Sequence, residues 1–339
     1  MPSSELPLNG AADTDSVPVA PVVLLAARPQ PRLPAWARLL VYLITAIVVG
    51  VVGNIVGSIP GVVAVMSGPN APKGLFSPDG LDGDGLLAAL PAWSVILMSY
   101  CTFVPVAGVT LVFARFIDRR SWAEIGLVFR PATRRELLIG ALLGSTVVVQ
   151  TLGYAAFGLV DLDRTEHSVL AAAVSGLILF AGVGFWEELI FRGYLLPNAE
   201  ALAGRVGGIL ISSILFWSVH LMTPEARDPL TGLGLFLMGV LFSLCYYGSG
   251  SLWLGIAMHA SYDFLLVSLF QPHSQINVPT VYSMDVLAPP WLVGPPGKAG
   301  LLDMAWLVVM LFGVYGWLYR PARRPPHPQP LSPQTGQGE

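Results

Sequence analysis

The sequence predicts an all-α membrane protein of about eight transmembrane helices, and three observations carry that prediction. Of its 339 residues, 54% are hydrophobic and only 12% charged, with a mean hydropathy of +0.67, whereas soluble domains average about 25% charged residues. Apolar runs recur at close to the roughly 20 residues that a helix needs to cross about 30 Å of hydrocarbon. The connectors between them carry basic residues very unevenly.

Taken in order, the runs cover about 39–59, 93–114, 137–160, 168–194, 206–222, 230–247, 252–270 and 301–319. The fifth, sixth and seventh are short and closely spaced, a pattern that also fits a broken or re-entrant helix. Ahead of the first run, "MPSSELPLNGAADTDS" lacks a basic start and "VPVAPVVLLAA" is short and interrupted by proline, so no secretory signal is evident. The first helix, with its external loop in the segment 36–84, is therefore expected to remain as an anchor. Residues 1–35 and 321–339 are rich in Pro, Ser, Gly and Gln. They hold too little apolar surface to offset the entropy of ordering and are expected to be disordered tails. No internal repeat is visible.

With eight passes and the amino terminus inside, one face receives Arg28, Arg32, Arg38, Arg115, Arg119, Arg120, Arg130, Arg134, Arg135, Arg205, Arg320, Arg323 and Arg324. The other receives Lys73, Arg164, Arg227 and Lys298, a ratio of 13 to 4. Basic residues beside membrane spans are retained in the cytoplasm. The expectation is a multi-pass protein of the cell membrane with both termini cytoplasmic. An odd number of passes would scramble the asymmetry. The net charge of -3 says little here, no basic stripe points to nucleic acid, and the expected partners are membrane lipid and a peptide or membrane-protein substrate rather than nucleic acid. Cys101 and Cys245 both fall in apolar runs and are expected to be buried thiols.

Within this oil lies "GFWEELIFRGYLL", residues 182–194. A charge at mid-membrane costs about 2.5–3.5 kcal/mol on insertion scales, so three together need a compensating role. At 100° per residue, Glu188 and Arg192 lie about 40° apart at the i, i+4 spacing and form the natural ion pair. Glu187 points about 100° from Glu188 and about 140° from Arg192, so its own helix gives it no cation. It must face a cavity, water or another helix. Gly182 and Gly184 allow close helix approach, and Pro197 reads as the helix exit.

Two later runs supply partners. "FWSVHLM" places His220 four residues after Phe216, and "HASYDFL" places Asp263 four residues after His259, each pair sharing a helix face. A lone histidine in an apolar run is usually a packing residue. Two histidines, an aspartate and a glutamate in neighbouring spans are more economically read as one polar pocket. Glu187 could take a proton from water, His220 could hold that water, and His259 with Asp263 could orient substrate or stabilise negative charge. Counted from the cytoplasmic ends, Glu187 lies roughly 14 Å deep, His259 roughly 11 Å and His220 roughly 20 Å. That places the chamber in the cytoplasmic half, with His220 as the outlier. A proton-coupled transporter using these groups as a relay is a competing reading. A catalytically silent scaffold or immunity protein is another.

"EELIFR" fits the pattern EExxxR, "FWSVH" fits FxxxH and "HASYD" fits HxxxN or HxxxD, in that order. On these motifs the sequence resembles the CAAX protease and bacteriocin-processing family of intramembrane endopeptidases. "WAEIGLVFRPATRRELLIGALLG" is similar to the connector and helix that precede the glutamate motif in that family. The resemblance implies a core over about 85–320 whose helices enclose an intramembrane catalytic cavity. It implies that Glu187 and His220 activate water, His259 and Asp263 support the oxyanion, and Glu188 and Arg192 support the first motif. Asp263 stands where eukaryotic prenyl-protein proteases of the family carry asparagine. An ionised aspartate cannot donate to an oxyanion, so it must be protonated or must orient His259. Glu187, His220, His259 and Asp263 could also bind one Zn²⁺, although no HExxH motif is present. The cofactor expectation is thus none or one Zn²⁺. The implied substrate is a membrane-associated or lipid-modified peptide or membrane protein.

Overall fold

The computed structural model describes residues 31, 33–68, 76–77, 80–81, 85–86, 89–270, 278–295 and 297–319. Apart from residues 31 and 33–35, the predicted tails lie outside the described residues, as does part of the first external loop.

Helices dominate, as the hydropathy requires. They are α1 (Ala35–Ser67), α2 (Ala92–Val112), the short α3 (Trp122–Ile125), α4 (Thr133–Gly144), α5 (Thr146–Ala156), α6 (Val169–Glu188), α7 (Leu196–His220), α8 (Pro229–Ser249), α9 (Trp253–Phe270) and α10 (Leu301–Leu318). Four short strands join them: β1 (Phe76–Ser77) with β2 (Gly80–Leu81), and β3 (Val160–Arg164) with β4 (Tyr282–Val286), both pairs antiparallel. The second ribbon is a small departure from the purely helical expectation.

Seven helical stretches among the described residues are long and apolar enough to cross a membrane. One of them, Val169–His220, holds 52 residues. At 1.5 Å per residue it would reach about 78 Å if straight, more than twice the roughly 30 Å hydrocarbon core. It folds back at Gly204, where φ is 72° and ψ is 176°, a backbone region essentially restricted to glycine. The stretch therefore supplies two passes, which gives the eight expected. Pro197 is not the exit. It sits in the first turn of α7, where a missing N–H is tolerated, because the wide π-type turn Leu189–Leu195 intervenes between α6 and α7. The chain reverses only at Gly204.

Close helix packing rests on small residues. Gly53, Gly57 and Gly61 form one stripe on α1 facing α2, and a Cβ at Gly57 would fall 2.7 Å from the Met98 Cα. Such stripes replace the hydrophobic driving force that lipid removes. Gly184 of α6 meets α9 in the same way, its ideal Cβ 2.8 Å from the Ala260 nitrogen. Gly182, by contrast, leaves room for the Trp186 ring and the Tyr100 hydroxyl. Cys245 is buried and Cys101 half-buried, both as free thiols.

One end of the bundle is closed by buried charge. Asp118, just past α2, pairs with Arg38 of α1 at 3.1 Å and accepts a 2.7 Å hydrogen bond from Asn198 of α7. Arg130 donates to the Ser249 carbonyl, Arg205 stacks on the Tyr247 ring at 4.2 Å, and the Leu252 N–H donates to the Gly126 carbonyl. Tryptophans ring both ends: Trp36 and Trp122 are exposed here, Trp93 and Trp291 at the opposite end, the usual belt at a membrane interface.

The α1 stripe makes one prediction. Gly57→Leu forces α1 and α2 apart and costs about 1–3 kcal/mol of overpacking, seen as a lower thermal midpoint in detergent. Gly108→Leu, where nothing lies within 4 Å of an added Cβ, leaves the midpoint in place. Equal midpoints for the two variants would refute the close approach.

Candidate active site

The charged cluster forms where α6 widens into its π-type turn, a local shape often found at functional sites. Arg192 lies in that turn and is fully buried. Its Nη1 donates to Glu188 Oε1 at 2.9 Å, the i, i+4 pair expected from the sequence, and its Nη2 donates to the Gly239 carbonyl of α8 at 2.9 Å. The Phe216 and Phe242 rings lie 4.7 and 5.0 Å from the guanidinium carbon, within cation–π range.

Glu188 has a second partner on another helix. Its Oε1 is 3.1 Å from His259 Nδ1 on α9. Gly255, one turn before His259, makes the room, since a Cβ there would sit 3.0 Å from Glu188 Oε2. The other imidazole nitrogen, Nε2, faces Asp263 Oδ2 at 3.4 Å and Glu187 Oε2 at 3.8 Å. Phe242 stacks beneath the ring at 4.6 Å and 18°. His259 is thus fixed by a carboxylate on each edge and an aromatic face.

Glu187 is the contrast. It is 8% exposed, and its Oε2 has no hydrogen-bond partner among the described residues. Trp186 beside it is stacked on Phe103 of α2 at 4.8 Å, which locks the rotation of α6. His220 closes the set. Its Nδ1 is 2.7 Å from the Phe216 carbonyl, so Nδ1 donates and Nε2 is left as an acceptor. Glu187, His220, His259 and Asp263 all line one cavity of about 410 Å³.

The depth of His220 now has an explanation. Because the chain turns at Gly204, Glu187 stands 17 residues before the reversal and His220 stands 16 after it. Both therefore lie about 25 Å from it along their helices. The uneven depths of Glu187 and His220 followed from ending the helix at Pro197. His220 is level with Glu187.

The four groups do not form a metal cage. Among the described residues no three His, Cys, Asp or Glu side chains converge in a way that could hold an ion. His259 Nδ1 is already engaged by Glu188.

A scan against protein families matches residues 169–265 to the family described as type II CAAX prenyl endopeptidase Rce1-like. This segment is similar to the Rce1-like family. No curated protein and no solved structure matches the chain. The Rce1-like segment contains all six residues singled out from the sequence: Glu187, Glu188, Arg192, His220, His259 and Asp263. At the level of the family the match supports an intramembrane CAAX-type endopeptidase, and the apolar helices support a lipid environment.

The sequence reading missed the Glu188–His259 bond and the Phe242 platform, which join separate helices at no fixed spacing. Gly255 was the available signal, a small residue one turn from a histidine. Arg192→Met tests the bond network of the Rce1-like segment. It leaves Glu188 buried with half its partners and lowers stability by about 3–5 kcal/mol. Chemical unfolding in detergent measures the loss, and Glu188→Leu with Arg192→Met recovers part of it. An unchanged unfolding midpoint for the single variant contradicts the network.

Proposed function

We propose that this chain hydrolyses a peptide bond in a membrane-associated or lipid-modified peptide or protein, using water activated by Glu187 and His220. The observation that carries the reading is the Glu187 carboxylate, whose buried Oε2 accepts no hydrogen bond among the described residues, on the wall of a cavity shared with His220, His259 and Asp263. A buried acid kept for stability would be hydrogen-bonded. The proteolytic core is assigned to residues 85–320, in a cell membrane with both termini in the cytoplasm.

The chemistry follows from which atoms are free. Water bound between Glu187 and His220 donates one hydrogen to His220 Nε2, while Glu187 removes the other as the oxygen attacks the peptide carbonyl. A new C–O bond forms and the carbonyl becomes an oxyanion. Both nitrogens of His259 face carboxylate oxygens, so each is placed as a donor, and the Nε2 edge is the one turned into the cavity beside Glu187. It is the group positioned to meet the oxyanion. Glu187 then hands its proton to the leaving amine, the C–N bond breaks, and a free carboxyl and a free amine result. Asp263 orients His259 in this scheme and need not donate to the oxyanion. No step passes through a metal.

Purified protein in liposomes with a peptide library tests this. Glu187→Ala and His220→Ala each lower the cleavage rate by about 10²–10⁴-fold, the usual contribution of a positioned base. Asp263→Asn keeps an acceptor for His259 and loses less than about tenfold on the same scale. Chelator leaves the wild-type rate unchanged. Equal cleavage by wild type and both alanine variants rules the mechanism out, and loss of activity on chelation that zinc restores replaces it with a metal-dependent one.

A further inference from the structure

The cavity has a direction. From its floor at Glu187, His259 and Phe242 it runs past Asp263 and Leu266 to Thr223 and Glu225 in the loop after α7, Met284 of β4, and Lys298 before α10. All of these outer groups belong to the end of the bundle opposite the Asp118 cluster. Beneath the floor the protein is solid. Glu188, Arg192, Tyr194, Leu195, Leu252 and Leu254 are each no more than 2% exposed, and beyond them the Arg38–Asp118–Asn198 contacts close the end.

The closed end also carries the positive charge. Among the described residues Arg38, Arg115, Arg119, Arg120, Arg130, Arg134, Arg135 and Arg205 lie there, against Arg164, Arg227 and Lys298 at the open end, 8 to 3. The contacts of Arg38 with Asp118, Arg130 with Ser249 and Arg205 with Tyr247 bring connectors from different parts of the chain to this one face. Basic connectors stay in the cytoplasm.

We propose that the catalytic cavity opens on the non-cytoplasmic face and takes its substrate there, as an extended apolar peptide segment presented outside the cell membrane. This rests on the proteolytic reading of the site. The segment's apolar character follows from the wall. Met238, Met258, Met284, Met304 and Met310 line it, five of the nine methionines in the chain. Methionine is flexible and polarisable and re-packs around side chains of different shape. The cavity therefore selects for apolar character more than for one residue.

Single cysteines in a chain lacking Cys101 and Cys245 decide the orientation. In sealed right-side-out membrane vesicles, Thr223→Cys and Lys298→Cys react with a membrane-impermeant maleimide at least tenfold faster than Arg134→Cys. In inverted vesicles the order reverses. Labelling of Arg134→Cys alone in right-side-out vesicles overturns the proposal and leaves proteolysis standing. A second arm adds a pool of short quenched-fluorescent peptides rich in Leu, Ile and Phe to the same sealed vesicles carrying wild-type chain. Cleavage without lysis, lost in Glu187→Ala, supports the proposal, and cleavage only after lysis overturns it. No cleavage before or after lysis removes the proteolytic reading, and the assigned substrate with it.

Discussion

One carboxylate oxygen holds the site together. Glu188 Oε1 accepts from Arg192 on its own helix and from His259 on α9, at 2.9 and 3.1 Å. Arg192 in turn reaches the Gly239 carbonyl of α8. Three membrane-spanning elements are thus tied through one buried ion pair, Glu188 with Arg192. A charge left uncompensated at this depth is costly enough that α6, α8 and α9 have one relative arrangement in which every member is paired. The rings of Phe216 and Phe242 fill the space around the guanidinium, so shifting any one helix breaks both electrostatics and packing.

Adjacent glutamates in the same helix acquire opposite characters from that arrangement. Glu188 is fully committed, and its negative charge is spent on positioning His259. Glu187, one residue and about 100° away, receives no such partner and faces the cavity. The pair divides the work, with one acid defining the geometry and the other left free to exchange a proton. His220 is built on the same logic, since Phe216 occupies its Nδ1 and leaves Nε2 toward the cavity. Its ring also packs on Phe216 at 4.9 Å, so the FxxxH spacing supplies both the hydrogen-bond acceptor and the surface that holds the imidazole.

Whatever depended on periodicity within one helix could be read from the sequence. The apolar runs, the Glu188–Arg192 pair and the shared faces of Phe216 with His220 and His259 with Asp263 all follow from 3.6 residues per turn. Contacts between helices could not be read this way, because no local spacing encodes them. The Glu188–His259 bond spans 71 residues and the Asn198–Asp118 bond spans 80. The glycine stripe on α1 carried its own signal, a small residue at every fourth position, and stands as a missed inference. The misplaced helix end at Pro197 has a different cause. A proline disfavours helix only where it would break an intact hydrogen-bond ladder, and the preceding π-type turn had already altered that ladder.

The position of that reversal governs more than topology. By carrying α7 on to Gly204 before turning, the chain sets Glu187 and His220 level with each other, each about 25 Å along its helix from the reversal, with a layer of buried protein between them and the closed end. Hydrolysis requires water at the carboxylate, yet a wet cavity open at both ends of a membrane protein would be a leak for ions. On the proteolytic reading, the buried layer containing Tyr194, Leu252 and Leu254, with the paired charges of Glu188 and Arg192 at its upper surface, is what separates the hydrolytic site from the closed end. Its apolar members keep it dry, and its one ion pair is the same one that aims His259. The group that positions the chemistry and the plug that confines it are therefore a single structure.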